Sequence, residues 1–280
     1  MKIVMTLLVR NEEDIIRENI EFHLSQGVSH FIATDNLSAD GTTAILKEYE
    51  DKGVLTYFYE DSELFDQHIW VTRMAVEAFA EHNADWVINN DADEFWWPRS
   101  GTLIDAFQSV PEQYNLLEAR RTNFVMVGGG VAPFYRRMIY RQVVPLNSLG
   151  QSLPPKLAHR GSEDIIVAPG NHSVSGFHNM KKKHGLIDVL HYPMRISGQF
   201  ENKIKYGGAA YERNKIVPED VGITWRSLYS EYKEHSSLHD YCNQQTYDNE
   251  RIQEELAIGQ IVEDCRLSDY LSQLPGLKSQ

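Results

Sequence analysis

Residues 84–98 read ADWVINNDADEFWWP, and this stretch decides how the rest of the chain is interpreted. The run at 85–90 predicts a buried strand, and Asp91, Asp93 and Glu94 follow it directly. These acids therefore lie at the carboxyl end of a strand, which is where parallel α/β sheets bind their ligands.

The first hundred residues alternate between strand and helix patterns. Apolar runs predict further strands at 2–9, 29–35 and 54–60. Segments with helical spacing and suitable end residues predict helices at 11–27, 38–53 and 68–83. This alternation predicts a mainly parallel central sheet flanked by helices. From about Gln199 the chain is polar and helical in character.

Composition and charge exclude several protein classes. The 280 residues are 42% hydrophobic and 24% charged, with a formal net charge of −13, which argues against nonspecific nucleic-acid binding. No apolar run is long enough for a membrane span or a signal peptide, although peripheral membrane association stays open. Cys242 and Cys265 lack zinc-type spacing, so we expect a reduced, cytoplasmic location.

The spacing of Asp91 and Asp93 favours a metal site. Two residues apart on an extended backbone, both carboxylates point to one side, where they repel each other unless a cation lies between them. Oxygen ligands favour Mg²⁺ or Mn²⁺, which in turn bind diphosphate oxygens. The plain alternative is a solvated turn. Further polar residues at strand ends, Arg10 to Glu12 and Asp35, make that alternative weaker.

An acidic protein that binds a phosphorylated ligand also needs local cations. Lys156, Arg195 and Lys203 are candidates for contacting a diphosphate. Arg73 is a further candidate on the third helix, where an exposed helix face is the plain alternative. His172 could bind metal or substrate, or it could be structural.

Several segments together resemble the GT-A glycosyltransferases of family 2 and its near relatives, over roughly residues 1–205. They are MTLLVRNEED (5–14), FIATDNLSADGT (31–42), DWVINNDADEFW (85–96), PPKLAHRGSEDIIVAPGNHSVSG (154–176) and HYPMRISGQFENK (191–203). DNLSADGT resembles the family's DDGSTDGT signature and DADEF its D-x-D, while the later segments resemble a bacterial branch.

The resemblance implies a fold and a domain organisation. We expect a GT-A fold, a Rossmann-like and mainly parallel sheet flanked by helices, with a helical C-terminal tail. Residues 1–198 would form the catalytic domain, with a nucleotide-sugar-binding half at 1–98 and an acceptor-side half at 99–198. Residues 199–280 would form a helical extension.

The resemblance also implies roles for individual residues. Asp35 would accept a hydrogen bond from the base, which the family suggests is uracil. Asp91 would lie near the ribose and the metal, Asp93 would be the main metal ligand among the acids, and His191 would be a further ligand. The expected donor-binding set is Arg10, Glu12, Asp35, Arg73, Asp91, Lys156, Arg195 and Lys203.

The sequence also departs from the family pattern. Asn36 stands where the family usually has a second aspartate, and Leu37 stands where it has a glycine. The catalytic base is not clearly placed, and its candidates are Glu163, Asp164 and Glu94.

The resulting expectation is a metal-dependent glycosyltransferase. It would move a sugar from a nucleotide diphosphate sugar, UDP-linked by resemblance, to a hydroxyl of a glycan or another acceptor, with inversion. Two alternatives stay open: a nucleotidyltransferase acting on sugar phosphates, and a non-catalytic carbohydrate-binding protein on the same fold. The position after the first strand reads VRNEED rather than a glycine- and lysine-rich phosphate loop, which counts against the nucleotidyltransferase.

Overall fold

The structure is a computed structural model that describes residues 1–63, 67–128, 132–146, 150–214 and 222–277. The chain forms two compact units. The first comprises Met1–Asp61, Asp66–Arg121 and Pro154–Leu190, and the second comprises Ser62–Phe65, Thr122–Leu153 and His191–Gln280. The second unit thus combines the helical C-terminal region with an insertion from the middle of the chain. The domain boundaries expected from the sequence stay a prediction.

Strands and helices alternate from β1 to β4, as the sequence predicts, and β5 then follows β4 without an intervening helix. Up to residue 123 the elements are β1 (Ile3–Val9), α1 (Ile16–Ser25), β2 (His30–Asn36), α2 (Thr42–Asp51), β3 (Leu55–Glu60), α3 (Gln67–Ala80), β4 (Trp86–Asn90), β5 (Glu94–Pro98), α4 (Leu103–Gln108) and β6 (Leu116–Asn123). After residue 133 they are α5 (Phe134–Arg137), β7 (Tyr140–Gln142), β8 (Lys156–Arg160), β9 (Ile166–Val167), β10 (Val174–Ser175), β11 (Lys182–His191), α6 (Ser197–Arg213), α7 (Ile223–His235), α8 (His239–Gln245), α9 (Asn249–Ala257), β12 (Ile261–Glu263) and α10 (Arg266–Leu271). Short 3₁₀ helices occupy Pro169–Asn171 and Pro275–Leu277.

The central sheet has eight strands in the order β3-β2-β1-β4-β8-β6-β11-β5. The first four pair in parallel, whereas β8 pairs antiparallel with both β4 and β6. The expected α/β class, with a central sheet flanked by helices and a helical C-terminal region, is confirmed. The sheet is mixed, because β8 runs antiparallel to β4 and β6.

Burial explains why the parallel half is regular. β1 is buried along almost its whole length and lies between β2 and β4, so both of its faces need apolar side chains. One face of α3 covers this part of the sheet. Its buried residues recur at helical spacing, Val71, Met74, Ala75 and Ala78, and they cluster with Val4, Ile32 and Val87 of the strands.

The second unit is mostly helical and has its own apolar clusters. One of them gathers Phe200 and Ile204 of α6 with Leu228 of α7 and Cys242 of α8. A two-stranded sheet pairs β7 with β12 in antiparallel fashion. None of the described helices has the length and apolar character that crossing a bilayer requires.

Candidate active site

The strand order of the parallel half creates a crevice. The chain runs outward from β1 through β2 to β3 and then returns to place β4 on the other side of β1. The crossover direction therefore changes between β1 and β4, and ligands bind at such a switch point, outside the carboxyl ends of the strands. Arg10 follows β1 at this edge, and Asp91 follows β4.

Asp35, near the end of β2, organises the loop that follows it. The side chain is fully buried. One carboxylate oxygen accepts from the backbone N–H of Ser38 at 3.0 Å, and the other accepts from the hydroxyls of Thr43 at 2.5 Å and Tyr57 at 3.2 Å. Burial, reinforced by the Asp35 carboxylate, raises the pKa of Tyr57 to about 12. The phenol therefore stays protonated and keeps donating to Asp35.

The loops after β1 and β2 are fastened to each other. Asn11 has a left-handed backbone (φ 55°), donates its N–H to Ser38 Oγ at 3.1 Å and accepts from the N–H of Ala39 at 2.7 Å. The N–H of Glu12 donates to Thr42 Oγ1 at 2.8 Å. These bonds hold the edge of the crevice in one conformation.

Leu37 adopts a left-handed backbone as well, with φ 60°. This is the position where the resembling family has a glycine, and the observed conformation is one that glycine adopts at low cost and leucine does not. Leu37 thus adopts the backbone conformation that glycine favours, and this places local backbone strain beside Asp35.

At the tip of β4, Asp91 is held by two side chains from distant parts of the chain. Lys156 Nζ, at the start of β8, donates to Asp91 Oδ2 at 2.5 Å, and Asn171 Nδ2 donates to Asp91 Oδ1 at 3.1 Å. The Asp91 side chain is 32% exposed, whereas that of Lys156 is 1% exposed. Asp93 is buried.

Glu94 belongs to the same cluster through its contact with Lys156. Its carboxylate is fully buried, with Lys156 Nζ 3.2 Å from Oε2 and Arg121 donating to Oε1 at 3.3 Å. Loss of hydration outweighs these two cations and raises the pKa of Glu94 to about 7. With no exposure to solvent, Glu94 is badly placed to take a proton from an acceptor hydroxyl.

His172 lies in the same cluster and is mostly buried. Its Nδ1 lies 3.0 Å from the carbonyl oxygen of Pro155, so Nδ1 carries the proton. Burial, together with the nearby charges of Lys156 and Arg121, lowers the pKa of His172 to about 4. His172 is therefore a neutral imidazole at physiological pH.

Among the expected metal ligands, Asp91 offers no open oxygen to a divalent ion. Both oxygens of Asp91 already accept hydrogen bonds from protein donors. Within the described ranges, no group of three or more His, Cys, Asp and Glu side chains could hold a metal ion. A cation does adjoin Asp91, but it is the ammonium group of Lys156.

Glu163 and Asp164 lie away from this edge of the sheet. β8 runs antiparallel to β4, with Ala158 opposite Ile88 and Arg160 opposite Trp86 at the start of β4. The two acids follow the end of β8 and are exposed at the amino end of β4. This placement argues against the role of catalytic base expected for them, because Asp91 lies at the opposite end of the same strand.

The remaining donor-site candidates divide between the two units. Arg73, on α3, donates to Thr34 Oγ1 at 3.4 Å, next to Asp35. In the second unit, His191 Nδ1 lies 2.6 Å from Asn123 Oδ1, and the buried Arg195 donates to the carbonyl oxygen of Tyr192 at 3.0 Å. Lys203 lies on α6 of that unit. The convergence of His191 with Asp91 and Asp93 stays a prediction.

Sequence reasoning missed Arg121 and Asn171. Arg121 is one of two adjacent arginines in a strand and carries no motif. Asn171 precedes His172 among turn-forming residues and has a left-handed backbone (φ 61°), a conformation that asparagine tolerates better than most residues. The turn composition was a usable signal for Asn171.

Comparison with known proteins identifies one matching family. Residues 4–128 match glycosyltransferase family 92, a stretch that includes β1 to β6 and therefore Asp35, Asp91 and Glu94. The match supports a glycosyltransferase, and the family that matches is family 92 rather than the family 2 suggested by the motifs. The comparison with curated proteins found no match.

Solved structures with similarity to this chain include TarS from S. aureus in complex with UDP-GlcNAc, with TM-score 0.46 and 14% identity over 83% of this chain and 71% of that one. A mannosyltransferase from Pyrobaculum calidifontis in complex with GDP-Man and Mn²⁺ has TM-score 0.41 and 14% identity over 81% and 69%. Glucosyl-3-phosphoglycerate synthase from Mycobacterium tuberculosis has TM-score 0.30 and 18% identity over 43% and 44%. With all three TM-scores below 0.5, the evidence for a glycosyltransferase is the family 92 match together with the site at the carboxyl ends of β1, β2 and β4.

Proposed function

We propose that this chain transfers a sugar from a nucleotide diphosphate sugar, with UDP as the nucleotide, to a hydroxyl of a glycan or another acceptor. The observation that carries the proposal is the position of Asp35 and Asp91. Both lie at the carboxyl edge of the parallel strands, on either side of the end of β1, within the segment that matches glycosyltransferase family 92. A nucleotide placed there would extend from Asp35 at its base to Asp91 near its phosphates.

The hydrogen bonds around Asp35 support a role in binding the base. Ser38, Thr43 and Tyr57 fix the buried carboxylate, and the carboxylate in turn fixes the loop after β2, so a base would meet a preorganised loop rather than a mobile one. Arg73, beside Thr34, supplies a cation near the same strand end, on the face of β2 opposite to the Asp35 side chain. Arg10, after β1, would supply positive charge nearer the phosphates.

Three finer features belong to the proposal as expectations from the sequence. They are inversion at the anomeric carbon, a divalent ion such as Mn²⁺ or Mg²⁺, and a cytoplasmic location. Neither Glu94, which is buried, nor the exposed pair after β8, which lies at the amino end of β4, is placed to act as the base.

The test is a panel of UDP- and GDP-sugars assayed for release of the nucleoside diphosphate, with and without Mn²⁺ or Mg²⁺ and with a chelator. Release that depends on an added acceptor supports a glycosyltransferase. Release of pyrophosphate from a nucleoside triphosphate and a sugar phosphate would instead support a nucleotidyltransferase. Binding without any release would leave a carbohydrate-binding protein.

Asp35→Asn sharpens the test of the nucleotide site. The contact with the base is equally present in the ground state and the transition state, so its loss should raise KM about tenfold or more and leave kcat nearly unchanged. The matched control is Asp51→Asn, which alters an exposed acid at the end of α2 and should leave both constants as they are. A fall in kcat at unchanged KM would contradict the role given to Asp35.

A further inference from the structure

The ammonium group of Lys156 lies among oxygen atoms. Nζ donates to Asp91 Oδ2 at 2.5 Å and to the carbonyl oxygen of Gly170 at 3.0 Å, and it lies 3.2 Å from Glu94 Oε2. Two of its three N–H donors thus have hydrogen-bond acceptors, and the contact with Glu94 is an ion pair, since Glu94 Oε2 accepts no hydrogen bond. The side chain is 1% exposed, and it therefore makes these contacts within the protein rather than with water.

An all-oxygen environment with two carboxylates is also what a hard divalent ion requires. In this protein the cation in that environment is the side chain of Lys156, the first residue of β8. Asn171 fixes the other oxygen of Asp91, and Arg121 fixes the other oxygen of Glu94. Both oxygens of Asp91 thus have protein donors, and each oxygen of Glu94 lies beside a cation, so positive charge faces both acids without a metal.

We infer that the Lys156 ammonium is the resident cation between Asp91 and Glu94 in the donor-free protein, and that it excludes divalent ions from these two carboxylates. The place beside Asp91, one of the two D-x-D acids, is therefore taken by a side chain. Any Mn²⁺ or Mg²⁺ that reaches Asp91 has to displace Lys156 first. This inference concerns the protein without its donor, so it does not depend on the reaction proposed above.

The test uses the full chain without nucleotide and Mn²⁺ alone as the probe. Binding is followed by the loss of the electron paramagnetic resonance signal of free Mn²⁺ and by the thermal unfolding midpoint. We expect no Mn²⁺ binding to wild type that depends on Asp91, and no Mn²⁺-dependent change in its unfolding midpoint. Lys156→Met removes the ammonium and keeps the apolar stem, so its Mn²⁺ affinity should rise by at least about tenfold, with a matching rise in the midpoint.

Three further variants separate this inference from a general effect of removing a lysine. Lys156→Arg keeps a cation and should exclude Mn²⁺ as wild type does. Lys156→Met combined with Asp91→Asn should lose the Mn²⁺ binding that the single variant gains. Lys182→Met removes an exposed lysine that lies 3.0 Å from Glu118, and it should create no Mn²⁺ site.

Two results would overturn the inference. One is a wild-type protein that binds one Mn²⁺ with an affinity that Asp91→Asn abolishes. The other is a folded Lys156→Met variant with no gain in Mn²⁺ affinity. If Lys156→Met does not fold, the comparison of wild type with Asp91→Asn still decides, because it needs no change at residue 156. Neither result would bear on sugar transfer, which the donor panel measures separately.

Discussion

At the scale of single residues, His23 shows how burial fixes a protonation state. The ring is fully buried in α1, with Nδ1 2.8 Å from the carbonyl oxygen of Asn19. Its Nε2 accepts the backbone N–H of Trp96 at 3.1 Å, so the proton must be on Nδ1. Protonation of Nε2 would place its N–H against the backbone N–H of Trp96. Burial also disfavours the charged ring and lowers the pKa of His23 to about 3.

A pH dependence of stability follows from this shift. The folded pKa lies below the ordinary value, so His23 stabilises the fold above pH of about 6.5, and that stability is lost as the pH falls towards 3. Between pH 7 and pH 5 the loss should be on the order of 2 kcal/mol in the free energy of unfolding. Urea unfolding of wild type and of His23→Gln at both pH values measures this loss. The free energy of unfolding should fall less in the variant than in wild type when the pH is lowered.

Gly198→Ala provides the control for this experiment, because it removes no titratable group and the added Cβ would meet nothing within 4 Å. It should keep the wild-type dependence on pH. An equal loss of stability in wild type and His23→Gln between pH 7 and pH 5 would show that His23 is not the group responsible.

At the scale of elements, the contact between α6 and α7 depends on two adjacent glycines. A Cβ on Gly207 would lie 2.3 Å from the ring of Trp225, and one on Gly208 would lie 2.3 Å from Tyr229 Cβ. The Cβ of Tyr229 is attached to the backbone of α7 and cannot swing aside as the end of a side chain can. The small residues in α6 therefore set how closely the two helices approach.

Gly208→Ala should lower the free energy of unfolding by about 1–3 kcal/mol, because the added methyl forces α6 and α7 apart. Gly198→Ala, in the same helix, is the matched control, since a Cβ there would meet nothing within 4 Å. It should be neutral or stabilise by up to about 1 kcal/mol through helix propensity. Urea or thermal denaturation followed by circular dichroism compares the two. Equal midpoints for both variants would refute the close-packing argument.

Elements also show what the sequence could and could not predict. The buried runs of β1 to β4 have local signatures, and their parallel pairing was predictable from the alternation with helices. The antiparallel pairing of β8 with β4 was not predictable, because it joins residues about 70 positions apart in the sequence and no turn motif indicates it. The same pairing brings Lys156 to Asp91 and places Glu163 at the amino end of β4. The residues that surround Asp91 could therefore not be predicted either.

At the scale of the whole molecule, the acidic charge opposes the ligand proposed for it. The formal net charge is −13, whereas a nucleoside diphosphate is an anion. Lys156 does not provide positive charge for the ligand, because its ammonium group already forms ion pairs with Asp91 and Glu94. The long-range field should therefore repel the nucleotide, and affinity should come from short-range contacts in the crevice.

The dependence of nucleotide affinity on salt tests this balance. Electrostatic screening lengths shorten from about 30 Å at 0.01 M salt to about 8 Å at 0.15 M, so added salt weakens the repulsion by distant acids more than the contacts within the site. The affinity for the nucleoside diphosphate that the donor panel selects should accordingly rise about two- to threefold over this range. Isothermal titration calorimetry measures it, with the uncharged nucleoside as the control whose affinity should not change. A steep fall in diphosphate affinity with an unchanged control would mean that cations at the crevice dominate the field, and that Lys156 or Arg10 contacts the phosphates directly.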